Sequence, residues 1–371
     1  MKETKFKNTE IGEIPKDWEV TSIGKVCNVR RGVRVTKEQL TDEGRYPVYQ
    51  NTNYPMGYFD NYNADANTPF VIVGGSAGQI GLSKERYWAA DDCAYFEKSN
   101  TLNKVFLYYE LTHRQFEIKK FVRTASVPRL DRKVIEDFVL PLPSLHEQHR
   151  IASALTSIDN LISSLGKLIE KKKNIKQGAM QQLLTGKTRL KGFNEPWMEK
   201  KLGEVCSVKK GVRVVKRNLT TNGLYPVYQN TNFPLGYSNH YNVEANTPFV
   251  IIGGSAGQIG ICREKYWAAD DCAFFACHDI YKEYLYYVLL LNQSNILHNV
   301  RTGTIPRLDR TFLSGMLVYI SSNIAEQQAI ATILTKMDDE ITALEAKKAK
   351  YEAIKQGMMQ QLLTGKIRLI S

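Results

Sequence analysis

The apolar positions of the chain follow two different periods. Short apolar runs such as "TPFVIV" (68–73) and "YWAADDCAYF" (87–96) are bounded by Gly, Pro and Asn, which is typical of β-strands. Within "NKVFLYYELTHRQFEIKKFV" (103–122), Phe106, Tyr109, Phe116 and Phe121 recur at helical intervals, so we predict a helix there. Residues 1–143 are therefore predicted to form a compact α+β domain.

After Pro143 the apolar residues follow alternating steps of three and four, which predicts a long coiled-coil helix. Ser144 with Glu147 predicts a capping box at its start, and Gly186 a left-handed C-cap at its end. A second helix begins with Asn323 and Glu326 and ends before Gly365. The predicted seams are Ile151, Leu155, Ile158, Ile162, Leu165 and Ile169, then Ile330, Leu334, Met337, Ile341, Leu344, Tyr351, Met358 and Leu362, weakened by Lys172, Lys176, Lys348 and Lys355.

The chain is a tandem duplication. "TPFVIVGGSAGQIG" (68–81) returns as "TPFVIIGGSAGQIG" (247–260) with one difference, and the same offset of 179 residues separates Gln79 from Gln258. We expect two α/β domains (1–143 and 188–321) and two helices (144–187 and 322–371) that pack antiparallel within one chain, with pseudo-twofold symmetry. Pairing of the helices between two molecules is the alternative.

Composition narrows the classes of function. The 371 residues carry a net charge of +12, which favours a polyanionic partner because Lys and Arg neutralise phosphates. No apolar run approaches the roughly 18 residues of a membrane span, and "MKETKFKNTE" lacks a signal-peptide core, so a cytoplasmic location is expected. The six cysteines have no CxxC spacing, which favours reduced thiols over disulfides or zinc.

Several motifs that resemble catalytic sites fail on their spacing. "TGKT" (185–188) lacks the first glycine of a phosphate loop, and "GGSAGQIG" lacks the order of a dinucleotide fingerprint. Asp91 and Asp92 are adjacent and cannot converge on a metal from one strand without a turn. The histidines are not paired between the repeats, and no Asn-Pro-Pro-aromatic tetrapeptide occurs. We therefore predict no catalysis, no metal and no bound cofactor in this chain.

Both repeats carry residues suited to DNA. Basic clusters that include Lys37 and Lys216 precede the aromatic, amide-rich "YPVYQNTN" in the two repeats, and a second basic set lies in "VRTASVPRLDRK" and its copy. Arg and Lys bind phosphates and guanine edges, Asn and Gln read adenine, and a glycine loop allows close backbone approach. The predicted DNA-binding residues are Arg30, Arg31, Arg34, Tyr49, Gln50, Asn51, Asn53, Ser76, Gln79, Arg123, Arg129 and Arg132, then Lys209, Lys210, Arg213, Tyr228, Gln229, Asn230, Asn232, Ser255, Gln258, Arg301, Arg307 and Arg310.

Five stretches spread over nearly the full length of the chain match a known family. They are "EIGEIPKDWEVTSIGKV", "PRLDRKVIEDFVLPLPSLHEQHRIASAL", "QQLLTGKTRLKGF", "EQQAIATIL" and "QQLLTGKIRL". They give the chain a resemblance to the specificity subunit of type I restriction-modification systems. It implies two target recognition domains held apart by spacer helices, double-stranded DNA as a partner, and methyltransferase subunits that bring S-adenosylmethionine and methylate adenine. It also implies motor and nuclease subunits that use ATP and Mg, so that this chain itself is noncatalytic.

The two repeats are more alike than recognition domains of this family commonly are. Residues 46–94 and 225–273 are identical at 37 of 49 positions, and the densest differences are Phe59, Asp60 and Asn61 against Ser238, Asn239 and His240. Near-equal readers related by a twofold axis predict a bipartite, near-palindromic site. The alternatives are a coiled-coil scaffold with duplicated glycan- or protein-binding domains and a self-sufficient methyltransferase or nuclease.

Overall fold

The computed structural model describes residues 5–124, 126–215, 217 and 219–370. Lys216, one of the basic residues predicted near the DNA surface, lies outside this part of the chain. The chain forms two compact units, residues 1–166 with 346–371 and residues 167–345. Each unit combines one aromatic, glycine-rich region with parts of both long helices.

The first unit contains eleven strands among the described residues, followed by a long helix. The strands are β1 to β11 at Phe6–Thr9, Gly12–Pro15, Glu19–Ser22, Val29–Arg31, Tyr46–Tyr49, Tyr58–Phe59, Pro69–Ile72, Ile80–Leu82, Trp88–Ala89, Cys93–Phe96 and Val139–Leu142. The helices are α1 to α4 at Ile23–Val26, Lys104–His113, Gln115–Lys119 and Arg132–Asp137, then α5 at Leu145–Leu183, whose last part belongs to the second unit.

The second unit repeats this order without a counterpart of the hairpin β1–β2. Its strands, within the described part, are β12 to β20 at Trp197–Lys201, Cys206–Lys210, Tyr225–Tyr228, Gly236–Ser238, Pro248–Ile251, Ile259–Ile261, Trp267–Ala268, Cys272–Cys277 and Leu317–Ser321. Its helices are α6 to α9 at Leu202–Val205, Lys282–Leu291, Gln293–His298 and Arg310–Gly315, and α10 at Ile324–Leu362, whose last part belongs to the first unit.

Both units have the same sheet topology. A four-stranded antiparallel sheet has the order β4-β10-β7-β8 in the first unit and β13-β19-β16-β17 in the second. A three-stranded sheet, β6-β5-β9 or β15-β14-β18, contains one parallel pair. All four residues of β7 and of β16 are buried, as a continuous apolar run requires. The predicted α+β class is confirmed.

The structure divides two of the predicted elements. The run "YWAADDCAYF" forms two strands, β9 and β10, because the chain turns at Asp91 and Asp92. The predicted helix 103–122 is broken at Arg114 into α2 and α3, where the guanidinium donates to the Val139 carbonyl at 2.6 Å and to Glu117. The second unit has the same break at Asn292, between α7 and α8, so the break does not require the guanidinium. Phe116 and Phe121 are consequently exposed instead of packed in the core.

The long helices pack against each other within each unit. The buried seam includes Ile151, Leu155, Ile158, Leu165, Ile169, Ile330, Leu334, Ile341 and Leu362. In the first unit Lys355 pairs with Asp159 at 2.7 Å, and in the second Lys172 pairs with Glu340 and Lys176 with Asp338. Residues later in α5 pair with residues earlier in α10, so the helices run antiparallel within the chain. Three of the four lysines predicted at core-facing positions thus form ion pairs with the partner helix, whereas Lys348 pairs with Glu352 on its own helix at 2.7 Å.

The helix caps are confirmed in part. Ser144 Oγ accepts a hydrogen bond from Glu147 N, and Asn323 Oδ1 from Glu326 N, both at 3.3 Å. The reciprocal half of the predicted capping box is wrong, because the Glu147 carboxylate instead accepts from Trp18 Nε1 at 3.0 Å and from Arg368. Gly186 and Gly365 have φ of 69° and 68°, which confirms their left-handed conformation. None of the helices in the described residues combines the length and apolar character needed to span a bilayer.

The first unit contains a buried carboxyl that the second unit lacks. Glu110 is 1% exposed, and one of its oxygens has no hydrogen-bond partner among the described residues. Burial raises the pKa of Glu110 to about 8, although Arg114 lies 3.7 Å away and acts in the opposite direction. Val288 occupies the equivalent position in the second unit. An apolar side chain is therefore compatible with this site.

We expect Glu110→Val to stabilise the first unit increasingly as pH rises. The folded-state pKa lies above the ordinary value of 4.5, so the wild-type contribution is present below pH 4.5 and is lost as pH rises through about 8. Between these limits the slope approaches about 1.4 kcal/mol per pH unit, and the variant lacks it. Urea unfolding at pH 5, 7 and 9 measures the effect. Val288→Ile provides a conservative control, and equal pH slopes in variant and wild type would contradict the expectation.

Candidate nucleic-acid interface

A polar loop follows the strand β5 in the first unit and β14 in the second. We define the polar loop as residues 50–54 and 229–233. Gln50 Nε2 donates to Asp91 Oδ1 at 3.3 Å, and the Asn51 carbonyl accepts from Ser76 N at 2.9 Å. Gln229 with Asp270 and Asn230 with Ser255 form the same contacts at 3.4 and 2.9 Å. The polar loop is thus the first of three segments, distant in sequence, that hydrogen bonds hold together.

The second segment is the glycine loop, residues 74–79 and 253–258. Gly75 and Gly78 have φ of 82° and 79°, in the left-handed region that favours glycine. A Cβ atom at Gly75 would lie 2.8 Å from the Asn51 side chain, and one at Gly74 would collide with Asp92 and Arg129. The loop therefore needs glycine both for its backbone conformation and for its close approach to the polar loop. Gly254 and Gly253 meet the same constraints.

The third segment is the arginine loop, residues 123–131 and 301–309. Arg129 Nη1 donates to Asp92 Oδ1, and the backbone of Arg129 pairs with that of Arg123. Gly75 N donates to the Pro128 carbonyl at 3.1 Å, which fixes the arginine loop against the glycine loop. Arg307, Asp271 and Arg301 repeat these contacts. The side chains of Arg129 and Arg307 remain 52% and 54% exposed, so each can contact a ligand while paired.

Basic residues on β4 and β13 lie beside this assembly. Arg31 Nε donates to the Asp91 carbonyl at 2.9 Å, while Arg30 pairs with Glu97 at 2.7 Å. The hydrogen bond from Arg30 lowers the pKa of Glu97. Arg34, Lys209, Lys210 and Arg213 are exposed. Ala276 replaces Glu97 in the second unit, so Lys209 lacks that particular carboxylate. Arg132 and Arg310 begin α4 and α9, where Arg132 pairs with Glu136 at 3.0 Å.

Two of the predicted DNA-binding residues belong to the core instead. Tyr49 and Tyr228 are each 8% exposed, and their rings pack 4.6 Å from those of Phe70 and Phe249. Burial raises the pKa of the Tyr49 hydroxyl. Residues 47–49 of β5 are all buried, whereas in the following loop Gln50 is half-buried and Asn51 and Asn53 are exposed. The same correction applies to Tyr228, because β14 has the same sequence.

The glutamines of the glycine loop are half-buried. Gln79 Oε1 and Asn232 Oδ1 have no hydrogen-bond partner among the described residues, whereas Gln258 Oε1 accepts from Asn232 N at 3.2 Å. Unpaired buried acceptors are infrequent in folded proteins. Among the described residues, the predicted surface contains one such unpaired oxygen in each unit, Gln79 Oε1 in the first and Asn232 Oδ1 in the second.

The sequence prediction missed one residue in each unit. Tyr54 and Phe233 end the polar loop and are 75% and 74% exposed. The signal was present, because an aromatic residue follows "YPVYQNTN" directly in both repeats.

Asp91 and Asp92 bond to different partners and do not face a common point. Asp91 accepts from Gln50, and Asp92 accepts from Arg129. Within the described ranges no group of three or more His, Cys, Asp or Glu side chains is arranged to hold a metal ion. The carboxylates therefore fix the loops, as a structural role would require.

The repeated architecture corresponds to a known family. The family described as "Type I restriction modification DNA specificity domain" matches the chain twice, over residues 15–177 and 194–356. The chain belongs to this family of type I restriction-modification specificity subunits. The two matches coincide with the two repeats, so the identification by sequence resemblance is confirmed.

Full-length relatives and solved structures agree with the family. The type I restriction enzyme MjaVIII specificity subunit of Methanocaldococcus jannaschii is 27% identical over 99% of this chain and 97% of its own length. The putative type I specificity subunit S.MgeORF438P of Mycoplasma genitalium is 21% identical over 93% and 94%. The crystal structure of a type I restriction-modification S subunit from M. genitalium has a TM-score of 0.79, with 21% identity, and covers 97% of this chain and 98% of that one. This last similarity shows a shared fold.

Proposed function

We propose that this specificity subunit recognises double-stranded DNA through two equivalent surfaces. Each surface consists of a polar loop, a glycine loop and an arginine loop. The observation that carries the proposal is the arrangement of Asp92, Arg129 and Gly74, which Asp271, Arg307 and Gly253 repeat with the same contacts. An exposed guanidinium held by a carboxylate beside exposed amides offers both phosphate binding and base-edge recognition.

Charge supports nucleic acid over a neutral ligand. Arg123 and Arg301 are 75% and 81% exposed next to the paired arginines, and the chain carries a net charge of +12. Lysine and arginine that neutralise phosphates release counterions, so binding should weaken steeply with salt. We assign phosphate contacts to Arg30, Arg31, Lys209 and Lys210. We assign base contacts to Asn51, Asn53 and their counterparts.

The recognised site is proposed to be bipartite and nearly palindromic. The polar groups of the two surfaces are the same from Gln50 to Asn53 and throughout the glycine loop. Equal surfaces read equal half-sites, and the inverted orientation follows the expectation from the antiparallel helices. Any asymmetry is expected from Asp60 and Asn61 against Asn239 and His240, all of which are exposed. Phe59 instead packs edge-to-face on Trp88 at 5.1 Å.

The chain is proposed to act without chemistry of its own. Methyltransferase subunits that bring S-adenosylmethionine would dock on the long helices and methylate adenine, and motor and nuclease subunits would use ATP and Mg. A solved structure titled for complex assembly of the type I restriction-modification system has a TM-score of 0.53 with this chain, which supports a role in such an assembly. The alternative of a glycan-binding scaffold is disfavoured by the exposed arginines and the net charge of +12.

Selection of DNA from a random duplex library by the purified full-length chain tests this function. We expect one enriched bipartite sequence with similar half-sites, and a binding constant that falls steeply between 50 and 200 mM salt, as about 6–10 phosphate contacts require. A duplex with scrambled half-sites is the control. No enrichment over random DNA, or binding that is insensitive to salt, would refute DNA recognition. Two unrelated half-sites would refute only the near-palindrome.

A further inference from the structure

The tip of the polar loop carries a large exposed ring in both units. Tyr54 and Phe233 occupy equivalent positions and are 75% and 74% exposed. Nearby Tyr62 and Tyr241, by contrast, pack on Tyr46 and Tyr225, with ring centroids 5.1 and 5.0 Å apart. Neither Tyr54 nor Phe233 has such a ring partner among the described residues. One exposed ring is common on protein surfaces and by itself indicates no ligand, but here both copies of a duplicated position expose a ring within the polar loop.

The backbone under each ring is held in the same way. Thr52 Oγ1 accepts from Tyr54 N at 3.3 Å and donates to the Tyr54 carbonyl at 3.0 Å. Thr231 forms the same two bonds with Phe233, at 3.3 and 3.1 Å. Pro55 and Pro234 follow directly, and a residue before proline is restricted to extended backbone conformations. Each ring is therefore presented on a fixed turn, which limits the entropy lost when it binds.

Each turn is fixed to the rest of the candidate interface. The hydrogen bond from Ser76 N to the Asn51 carbonyl joins the base of the turn to the glycine loop, and Gly75 N joins that loop to the arginine loop. Val127 and Ile305, at the tips of the arginine loops, are a second exposed apolar pair, 47% and 56% exposed. Each basic surface thus carries exposed apolar side chains on two of its loops, the polar loop and the arginine loop. Base faces are apolar and lie between charged phosphates, so this combination is complementary to DNA.

Both rings offer an aromatic face, and they differ only in the hydroxyl of tyrosine. The first unit has tyrosine and the second phenylalanine in otherwise identical loops from Tyr46 to Asn53 and from Tyr225 to Asn232. A role that required the hydroxyl would be missing from the second unit. The chemistry that both units retain is an exposed aromatic face, which stacks on any nucleobase.

We propose that Tyr54 and Phe233 each stack on a nucleobase at an opened base step in their half-site. This proposal rests on the proposed function, because it assigns a contact within the same DNA surfaces. The ring would act as a wedge that partly unstacks the step, while the neighbouring arginines hold the phosphates. The preferred steps would be flexible pyrimidine–purine steps, which open most easily. Sequence preference would thus arise at positions without hydrogen bonds to the protein.

The test compares ring removal with ring exchange in the full-length chain. Tyr54→Leu and Phe233→Leu remove the rings, whereas Tyr54→Phe and Phe233→Tyr give each unit the ring of the other. The probe is the duplex enriched from random DNA by the wild-type chain, with 2-aminopurine placed at successive positions. Measurement without methyltransferase subunits prevents base flipping by those subunits from contributing to the fluorescence. The thermal midpoints of all variants check that the fold is retained.

We expect each leucine variant to bind about 5- to 150-fold more weakly, the range for one lost base–aromatic stack, with an unchanged salt slope because no charge is removed. The exchange variants should bind within about twofold of wild type. Wild type should change 2-aminopurine fluorescence at one base step in each half-site, with a rise at a base that loses its stacking neighbour and quenching at a base that stacks on the ring, and the leucine variants should not.

Three results would overturn the inference. They are unchanged affinity of the leucine variants, loss of affinity in Tyr54→Phe, which would assign the contact to the hydroxyl, and loss of affinity without any fluorescence change in wild type, which would assign it to an intact groove. A wild-type chain that does not prefer the enriched duplex over random DNA would instead refute the proposed function itself.

Discussion

Replacement of Arg368 by methionine is expected to lower the thermal midpoint of the first unit by about 6–20 °C. Arg368 is 8% exposed and forms two hydrogen bonds with Glu147, at 2.8 and 2.9 Å, while Glu147 is 1% exposed. Methionine would leave this carboxylate buried with Trp18 Nε1 and Leu369 N as its only donors among the described residues. Breaking a buried pair in this way costs about 3–5 kcal/mol, which gives the stated change for a unit of this size.

The chain contains a matched control for this experiment. Arg189 forms the equivalent pair with Glu326, at 2.7 and 3.0 Å, but it is 31% exposed. Glu326 also accepts from Ser321 Oγ, where the first unit has Pro143. Arg189→Met should therefore destabilise the second unit less than Arg368→Met destabilises the first. Calorimetry of both variants measures the difference, and an equal or larger loss in Arg189→Met would show that burial does not set the cost.

Replacement of both Arg129 and Arg307 by alanine is expected to reduce affinity for the enriched duplex by about 30-fold to more than 10⁴-fold. Each arginine is half exposed, is held by its aspartate and lies beside the glycine loop. Removal of one arginine that contacts a base costs about 1–3 kcal/mol and relaxes specificity at the contacted position. Each single variant should therefore weaken one half-site and leave the other intact. Competition binding with duplexes altered in either half-site measures this.

Loss of charge alone must be separated from loss of recognition. Arg86→Ala removes one positive charge outside the three loops, at a side chain that is 52% exposed, and should change affinity little. Arg129→Lys keeps the charge but loses the planar fork, so it should lose discrimination while retaining most of the salt dependence. If Arg86→Ala weakens binding as much as Arg129→Ala, the arginine loop has no specific role.

Sequence periodicity predicted the long helices well because their apolar seams repeat over many turns. The seam from Ile151 to Ile169 is buried as predicted apart from Ile162, which is half-buried, and the glycines after each helix adopt the expected left-handed conformation. A long repeat averages out single exceptions, such as the lysines that form ion pairs with the facing helix. Short elements lack this averaging.

The errors arose where the tertiary structure overrides the local pattern. The helix predicted across Arg114 breaks there, as its counterpart does at Asn292, so Phe116 and Phe121 do not face the core. Glu147 bonds to Arg368, more than two hundred residues away in sequence, instead of closing the capping box. That partner cannot be identified from the sequence around Glu147. The prediction that Tyr49 contacts DNA was wrong for a related reason. Tyr49 is the last residue of β5 and is buried in the core, and the sequence does not show where β5 ends and the exposed loop begins.

The sequence predicted which residues belong to the loops, but it did not predict that the loops come together. Composition placed amides, glycines and arginines in both repeats, but the bonds from Gln50 to Asp91 and from Arg129 to Asp92 depend on the sheet order. The glycines of the glycine loop recur in the two repeats at places where a Cβ atom would collide with other side chains, Asp92 and Arg129 at Gly74 and Asn51 at Gly75. That constraint becomes visible only in three dimensions.

The central claim is that two equivalent surfaces read two equivalent half-sites. Mapping of methylated adenines in the genome of a host that co-expresses the full-length chain with a candidate methyltransferase tests it most directly. We predict one interrupted sequence whose half-sites are inverted copies or nearly so, with one methylated adenine on each strand at matching positions. Methylation at a sequence with two unrelated half-sites would contradict the claim.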